Sequence, residues 1–280
     1  MFNRIGIVGV GLIGGSVARA ARAFAPAVSI IGVDVDNVAD EAAAAGVIDA
    51  VADLEALAGC DLIVLAAPVS GNLAWMDRLA AAGVTALVTD VGGTKRQMNA
   101  KATELGGRLS FIGGHPMAGS DRSGFAAADE GLFRGRKWFV VPGPTAEPRQ
   151  TAALETWIRG LGADPAVVDA ETHDRVMASV SALPQVVASA LMAVVGERVD
   201  VEGLAMSGPG LRDTTRLAGS AATWMTDGLA HNSREVADAI DALITELRTV
   251  RDQLDTPERA ASLFTRAQDW RRALMGQTPR

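Results

Sequence analysis

The chain contains three histidines, His115, His173 and His231, and no tyrosine. That scarcity bears on any alcohol oxidation, because a base must take the hydroxyl proton while hydride leaves carbon. Without tyrosine there is no tyrosine–lysine proton couple, and the single cysteine, Cys60, argues against a zinc held by thiolates. Imidazole remains, with an unperturbed pKa of about 6.5 that suits proton abstraction near neutrality. His115 stands in Gly113-Gly114-His115-Pro116-Met117-Ala118-Gly119-Ser120, after a strand expected over Leu109 to Ile112. Glycines on one side and proline on the other predict a fixed, non-helical loop with room for a ligand, so His115 is the candidate base. His173 precedes Asp174 in the first turn of a helix, where capping or an aspartate contact accounts for it. His231, beside Asn232, reads as a capping or solvent residue. The run Arg212-Asp213-Thr214-Thr215-Arg216 offers two guanidinium groups one helical turn apart, able to clamp an anionic substrate, with Arg216 suited to a bidentate carboxylate contact. A surface ion pair between Arg212 and Asp213 is the plainer alternative.

A second constellation opens the chain: Gly9-Val10-Gly11-Leu12-Ile13-Gly14. A glycine triplet alone is weak evidence, but this one follows an apolar run, Arg4 to Val8, opens a helix, and has Asp34 at the end of the next strand. Gly9 permits the tight turn, Gly11 admits a pyrophosphate to the backbone, Gly14 lets helix and strand pack closely, and Leu12 and Ile13 begin the helix whose N-terminus binds the anion. Asp34 would accept from the ribose hydroxyls and repel a 2'-phosphate, which favours NAD over NADP. Ala67 and Pro68 end another strand at the edge where such folds bind ligands, along the adenosine side, although Pro68 is equally explained as a stop after a strand.

The elements that must hold these residues follow from alternation. Strands are expected at Arg4 to Val8, Val28 to Val33, Asp61 to Ala66, Ala86 to Thr89, Leu109 to Ile112, Lys137 to Val141 and Pro165 to Val168. Between them, helices at Leu12 to Ala23, Val38 to Ala45, Gly71 to Ala82 and Lys95 to Leu105 have Gly46, Gly83 and Gly106 just beyond their ends. The fold class is α/β, an N-terminal Rossmann-type doubly wound parallel sheet over residues 1–168, followed by an all-helical domain over 169–280 for substrate binding and dimerisation. Its helices are expected at Glu171 to Val199, Leu211 to Ala218, Ala222 to His231, Ser233 to Leu254 and Pro257 to Met275, the first with an apolar stripe wide enough to serve a dimer seam. Gly143 to Pro148 reads as a surface loop.

With 280 residues, 49% hydrophobic and 21% charged, the chain has the composition of a packed globular protein. A net charge of -7 makes nucleic acid or an anionic membrane a poor partner. No export signal is read, charges or glycines are expected to interrupt every apolar run before the roughly 18–20 residues that span a bilayer, and the location is expected to be cytoplasmic.

Taken together, the residues resemble the prephenate and arogenate dehydrogenases of tyrosine biosynthesis. The resemblance rests on Gly9 to Gly15, Asp90-Val91-Gly92-Gly93-Thr94-Lys95, His115 to Ser120 with Ser123-Gly124, His173-Asp174, and Arg212 to Arg216 followed by Trp224 and Asn232. It implies NAD-dependent oxidative decarboxylation of prephenate or arogenate by a homodimer, with no metal required. It makes His115 the base on the ring hydroxyl, puts Ser120 and Asp121 near the substrate, Arg216 on a substrate carboxylate and Trp224 in the pocket wall. Three positions depart from the pattern. Gly93 stands where many members have a serine bonded to the catalytic histidine, so Thr94 or a water is expected to replace that contact. Ala182 and Gln185 stand where many have histidines, and Gln185, able to donate and accept, is placed against the substrate side chain that distinguishes prephenate from arogenate. Both substrates stay open. The chain end at Arg280 leaves no room for an appended regulatory domain, so any tyrosine feedback would act at the active site. Another two-domain dehydrogenase of a small hydroxy or imino acid, or a non-catalytic NAD-binding regulator, are the competing readings.

Overall fold

The computed structural model describes residues 2–35, 37–120, 122–220 and 222–276, apart from the side chains of 222–224, 257, 259 and 260. Eight strands form one sheet: β1 (Arg4–Val8), β2 (Ser29–Val33), β3 (Ala50–Val51), β4 (Leu62–Leu65), β5 (Leu87–Asp90), β6 (Ser110–Pro116), β7 (Lys137–Pro142) and β8 (Asp164–Val167). Their order is β3-β2-β1-β4-β5-β6-β7-β8. All pairs are parallel except β6 with β7, which run antiparallel, a departure from the uniformly parallel sheet expected.

The central strands are buried on both faces, so they read as continuous apolar runs and their side chains divide by parity. Along β4, Leu62 and Val64 enter one core with Ile5, Ile7, Val17, Trp138 and Trp157, whereas Ile63 and Leu65 enter the other with Met76, Leu79, Val88 and Met98. Helices α1 (Leu12–Phe24), α2 (Val38–Ala44), α3 (Leu54–Leu57), α4 (Val69–Ala81), α5 (Arg96–Glu104) and α6 (Pro148–Gly160) connect the strands. The expected glycine stops hold: Gly46, Gly83 and Gly106 adopt φ of +67°, +67° and +61°, the left-handed conformation that ends a helix without a Cβ clash. Helix α6 was not expected. Its signal is present in the sequence, with proline in the first turn and Leu154, Trp157 and Ile158 on one buried face.

Past β8 the chain is helical: α7 (Ala170–Met177), a π-helical turn (Ala178–Ala182), α8 (Leu183–Leu204), α9 (Pro209–Thr215), a 3-10 turn (Arg216–Gly219), α10 (Ala222–His231), α11 (Ser233–Arg251) and α12 (Pro257–Leu274). The single long helix expected from Glu171 is therefore interrupted. Pro184 has no N–H to return to the preceding turn, which accounts for the π-helical widening just before it. The expected absence of a long apolar run is also corrected, because residues 176–195 carry no charge. The continuous helical segment Ala170–Leu204 is long and apolar enough to cross a bilayer by length and composition, and little of its apolar window is buried within the chain. Residues 1–233 and 234–280 are two compact units. In the second, Arg266 and Glu246 pair at 2.6 Å between α12 and α11, and Leu247, Phe264, Trp270 and Leu274 are exposed.

Candidate active site

The carboxyl ends of β2, β1, β4 and β5 lie side by side, and the glycine turn leaves the sheet among them. Gly9 donates its amide to Val33 O at 2.8 Å and adopts φ +90°, and a Cβ there would lie 2.7 Å from Ala66 C. At Gly14 a Cβ would lie 1.9 Å from Gly9 O, so close packing of α1 on its own turn forbids any side chain. Gly11 differs, since a Cβ there would meet no protein atom within 4 Å. Packing gives no reason for that glycine, but an approaching pyrophosphate does. Gly11 caps α1 without a side-chain hydrogen bond and no acidic residue occupies the first turn, so the positive end of the helix dipole is available to an anion. Asp34 accepts from the Val10 and Val35 amides, which fixes its carboxylate beside the turn while leaving lone pairs for ribose hydroxyls. These features fit a dinucleotide.

Ala67 donates to Asn72 Oδ1 at 3.1 Å, and Pro68 caps α4 with no side-chain bond of its own. That cap comes from Asp227 on α10, whose carboxylate accepts from Val69 N at 2.6 Å and from the Ser70 hydroxyl at 2.9 Å. Asp227 was missed in the sequence because its partners lie over 150 residues away, as no local spacing could reveal. His231 Nδ1 bonds the Asp227 carbonyl at 2.7 Å, in keeping with its reading as a helix-end residue.

His115 lies inside β6, opposite Phe139 of β7, and not in a loop after the strand. Its glycine neighbours mark close approach: a Cβ at Gly114 would stand 2.4 Å from Asp90 O, where β5 and β6 meet. Beneath the ring is a buried ion pair. Asp90 takes the Gly114 amide at 3.0 Å, the Gly92 amide at 2.9 Å and the Lys95 ammonium, and both charged side chains are fully buried. Burial pulls the Lys95 ammonium below its ordinary pKa, against the opposing pull of Asp90.

On the other side of His115, its Nδ1 lies 2.9 Å from His173 Nε2. His173 Nδ1 lies 2.8 Å from Asp174 Oδ1, and Asp174 also accepts the Lys95 amide at 2.7 Å and the Arg96 amide at 2.9 Å. Burial opposes ionisation of Asp174, but bonds from His173 and these two amides outweigh it and hold the carboxyl below the usual carboxylate range. Burial, then His173, then the Lys95 ammonium push the His115 imidazole well below its ordinary pKa. His115 Nε2 faces Gly93, where a Cβ would stand 3.9 Å away. A neutral imidazole with one nitrogen tethered and the other facing open space can abstract a proton.

The remaining candidates fall differently. Thr94 makes no hydrogen bond to His115: among the described residues its hydroxyl is buried without a partner, and His173 makes the contact expected of Thr94 or a water. His173, read from the sequence as structural, belongs to the site, and the adjacent Asp174 is the one signal that pointed there. Gln185 is buried with both amide ends engaged, Nε2 donating to Leu217 O at 2.6 Å and Oε1 accepting from Ser220 at 3.2 Å. It braces the turn that follows Arg216. Arg212 and Arg216 are exposed on α9 and the 3-10 turn, and among the described residues neither forms an ion pair, so the surface pair with Asp213 is not made. The Ser120 hydroxyl accepts the Arg122 amide at 3.1 Å beyond the end of β6. Asp121 and the Trp224 side chain lie outside the described residues.

Comparison with known proteins gives consistent relatives. The family model for the prephenate dehydrogenase nucleotide-binding domain matches residues 17–167, and that for the prephenate dehydrogenase dimerization domain matches residues 169–266. The prephenate dehydrogenase of Bacillus subtilis is 34% identical over 98% of this chain and 76% of its own length. The cyclohexadienyl dehydrogenase of Zymomonas mobilis is 29% identical over 90% of this chain and 88% of its own. Among solved structures, a prephenate dehydrogenase from A. aeolicus in complex with hydroxyphenyl propionate and NAD+ superposes with a TM-score of 0.89 at 25% identity, covering 98% of this chain and 99% of that one.

Proposed function

The chain belongs to the prephenate dehydrogenase family, an NAD-dependent prephenate or arogenate dehydrogenase of tyrosine biosynthesis, and on that premise we propose that His115 is its catalytic base. The observation that carries this reading is the His115 imidazole itself, kept neutral by its surroundings, with Nε2 turned to the open space at Gly93 beside the strand ends that receive the dinucleotide. The glycine turn and Asp34 hold NAD, which when bound accepts the hydride from the ring carbon bearing the hydroxyl. His115 Nε2 takes the hydroxyl proton as the carbonyl forms, the ring carboxylate departs as carbon dioxide, the electrons of that broken bond complete the aromatic ring and pass to the carbonyl oxygen as a phenolate, and the imidazolium returns its proton to that oxygen. Aromatisation drives the step, so a weakly basic imidazole suffices.

Arg216, supported by Arg212, receives a substrate carboxylate, with Ser120 near the substrate. Their exposure and lack of ion pairing support this for the arginines. The engaged amide of Gln185 does not select between the keto group of prephenate and the ammonium group of arogenate, so both are substrates in this reading. The division at 168 and 169 separates the cofactor part from the helical part. The uncovered apolar surface of α8, with Val180 of the preceding turn and Val194 exposed, supports a homodimer, and the biosynthetic role supports a cytoplasmic location. Incubation of the purified protein with NAD and either prephenate or arogenate is expected to yield NADH with 4-hydroxyphenylpyruvate or tyrosine respectively. His115→Asn should lower kcat on the order of 10²–10⁴-fold while NAD still binds. An active His115→Asn enzyme removes His115 from the mechanism.

A further inference from the structure

A base needs its lone pair on the correct nitrogen, and Gly93 supplies no side chain to orient the ring. We propose that His173 and Asp174 fix the tautomer of His115, with His173 a positioning residue that acts through hydrogen bonds alone. The proposal rests on the reading of His115 as the base.

The chain of bonds has one consistent direction. Asp174 is ionised and can only accept, so the proton between it and His173 sits on His173 Nδ1. Neutral His173 then has a bare Nε2, which accepts at 2.9 Å from His115, so the His115 proton sits on Nδ1. What is left on His115 is an unprotonated Nε2, the atom that faces Gly93. The reverse arrangement requires His173 to carry both protons and donate to His115 Nδ1, which would leave His115 protonated on Nε2 and useless as a base.

The charge balance favours the first arrangement. The Asp174 carboxylate already has two backbone partners, the Lys95 and Arg96 amides, which are the opening amides of α5. It caps that helix, so the positive end of the dipole compensates its charge without an imidazolium. His173 is 1% exposed and the nearby Lys95 ammonium is fully buried, so a further buried cation would add to an existing one. Asn232 completes the line from behind, donating from Nδ2 to the Asp174 carbonyl at 2.8 Å and holding the α7 backbone in place. The groups around His115 are thus His173, the Lys95–Asp90 pair, Asp174 beyond His173, and the Phe139 ring at 6.4 Å.

The direct test is nitrogen NMR of the full-length protein labelled at its histidine rings, with three histidines assigned by single substitution. At neutral pH His115 is expected to show a protonated Nδ1 and an unprotonated Nε2. A protonated His115 Nε2, or a doubly protonated His173, overturns the proposal whatever the activity. His173→Leu removes the acceptor and should lower kcat on the order of 10²–10⁴-fold, the upper figure being the loss expected of a base held in the wrong tautomer, while KM for NAD stays within about twofold. His173→Gln, whose amide oxygen can accept from Nδ1, should recover most of that loss. A His173→Leu enzyme with wild-type kcat also overturns it, and where this variant does not fold the wild-type spectrum decides. If His115→Asn is inactive and the tautomer is reversed, the positioning role falls and the base stands; if His115→Asn is active, the base falls first.

Discussion

Lys95→Met separates the two tasks of the buried ion pair. The substitution keeps the length of the side chain and deletes its charge, leaving Asp90 fully buried with only the Gly92 and Gly114 amides as partners. Removing one member of a buried pair costs about 3–5 kcal/mol, because the other charge is left uncompensated. The two amide contacts that survive put this case near the lower figure, about 3 kcal/mol. That is on the order of a 10²-fold loss in the folding constant. With an m-value of about 2–3 kcal/mol/M, the urea midpoint should fall by roughly 1 M, read from tryptophan fluorescence, to which the buried Trp138 contributes. Asp90→Asn combined with Lys95→Met should cost less than the two single changes summed, since no orphan charge remains. The second effect is kinetic. Lys95 is one of the groups that push His115 down, after burial and His173, so its removal lets the imidazole pKa rise toward its ordinary value. The active form is the neutral one, and the acid limb of kcat/KM should therefore move to higher pH. The linkage to stability has a definite sign. The unfolded chain binds the His115 proton more tightly than the folded one, so this group's contribution is complete above the unfolded pKa and is lost as pH falls toward the folded value. Lys95→Met narrows that window. An unchanged urea midpoint, or an acid limb displaced to lower pH, refutes the assigned role of Lys95.

Three further substitutions probe separate contacts. Gly93→Ser places a Cβ 3.9 Å from His115 Nε2 at a position with no positive φ, so the protein should fold normally; a new hydroxyl contact of about 1 kcal/mol on Nε2 competes with the substrate hydroxyl for the same lone pair and should lower kcat/KM roughly fivefold, whereas an unchanged or higher kcat/KM would show that the proton is not taken at that face of the ring. Asp227→Ala removes the cap of α4 at Val69 and Ser70, which should cost about 1 kcal/mol of stability and weaken NAD binding measured by calorimetry; unaltered NAD affinity would separate α10 from the cofactor loop. Gln185→Leu leaves the Leu217 carbonyl with the Ser220 amide alone and the Ser220 hydroxyl without its acceptor, and should raise KM for prephenate more than it lowers kcat, because the turn bearing Arg216 loosens; equal KM would show that Arg216 is held by other contacts.

The cofactor half was readable in the sequence because its signals are local. Strand β1, the glycine turn, α1 and β2 follow one another within 33 residues, and each glycine answers to a contact a few positions away or across a neighbouring strand. Strand direction was not readable, since β7 is as apolar as its neighbours and only the loop geometry between β6 and β7 turns it antiparallel. The glycines before His115 and the proline after it point to a loop, yet Gly113 and Gly114 are glycines so that β6 can lie against Lys95 and Asp90. Helix α6 and the uncharged run 176–195 are legible as local patterns, the one in its leading proline and apolar face, the other in composition alone.

His173 was misread for a different reason: nothing in the first turn of a helix reveals a partner on a strand 58 residues earlier. That contact explains how the site manages with glycine at 93. With no side chain on the Nε2 side, the ring must be held from Nδ1, and the holding residue must itself be held. Asp174 does this while accepting the first amides of α5, so one carboxylate fixes both the start of that helix and the acceptor behind the base. The turn that carries Gly93 runs directly into α5, and its position is thereby tied to the orientation of His115. A shift of α7 away from the sheet would loosen both together, so changes on α7 that spare His173 and Asp174, if they move the helix, should reduce kcat and expose the Lys95 and Arg96 amides to hydrogen exchange in parallel.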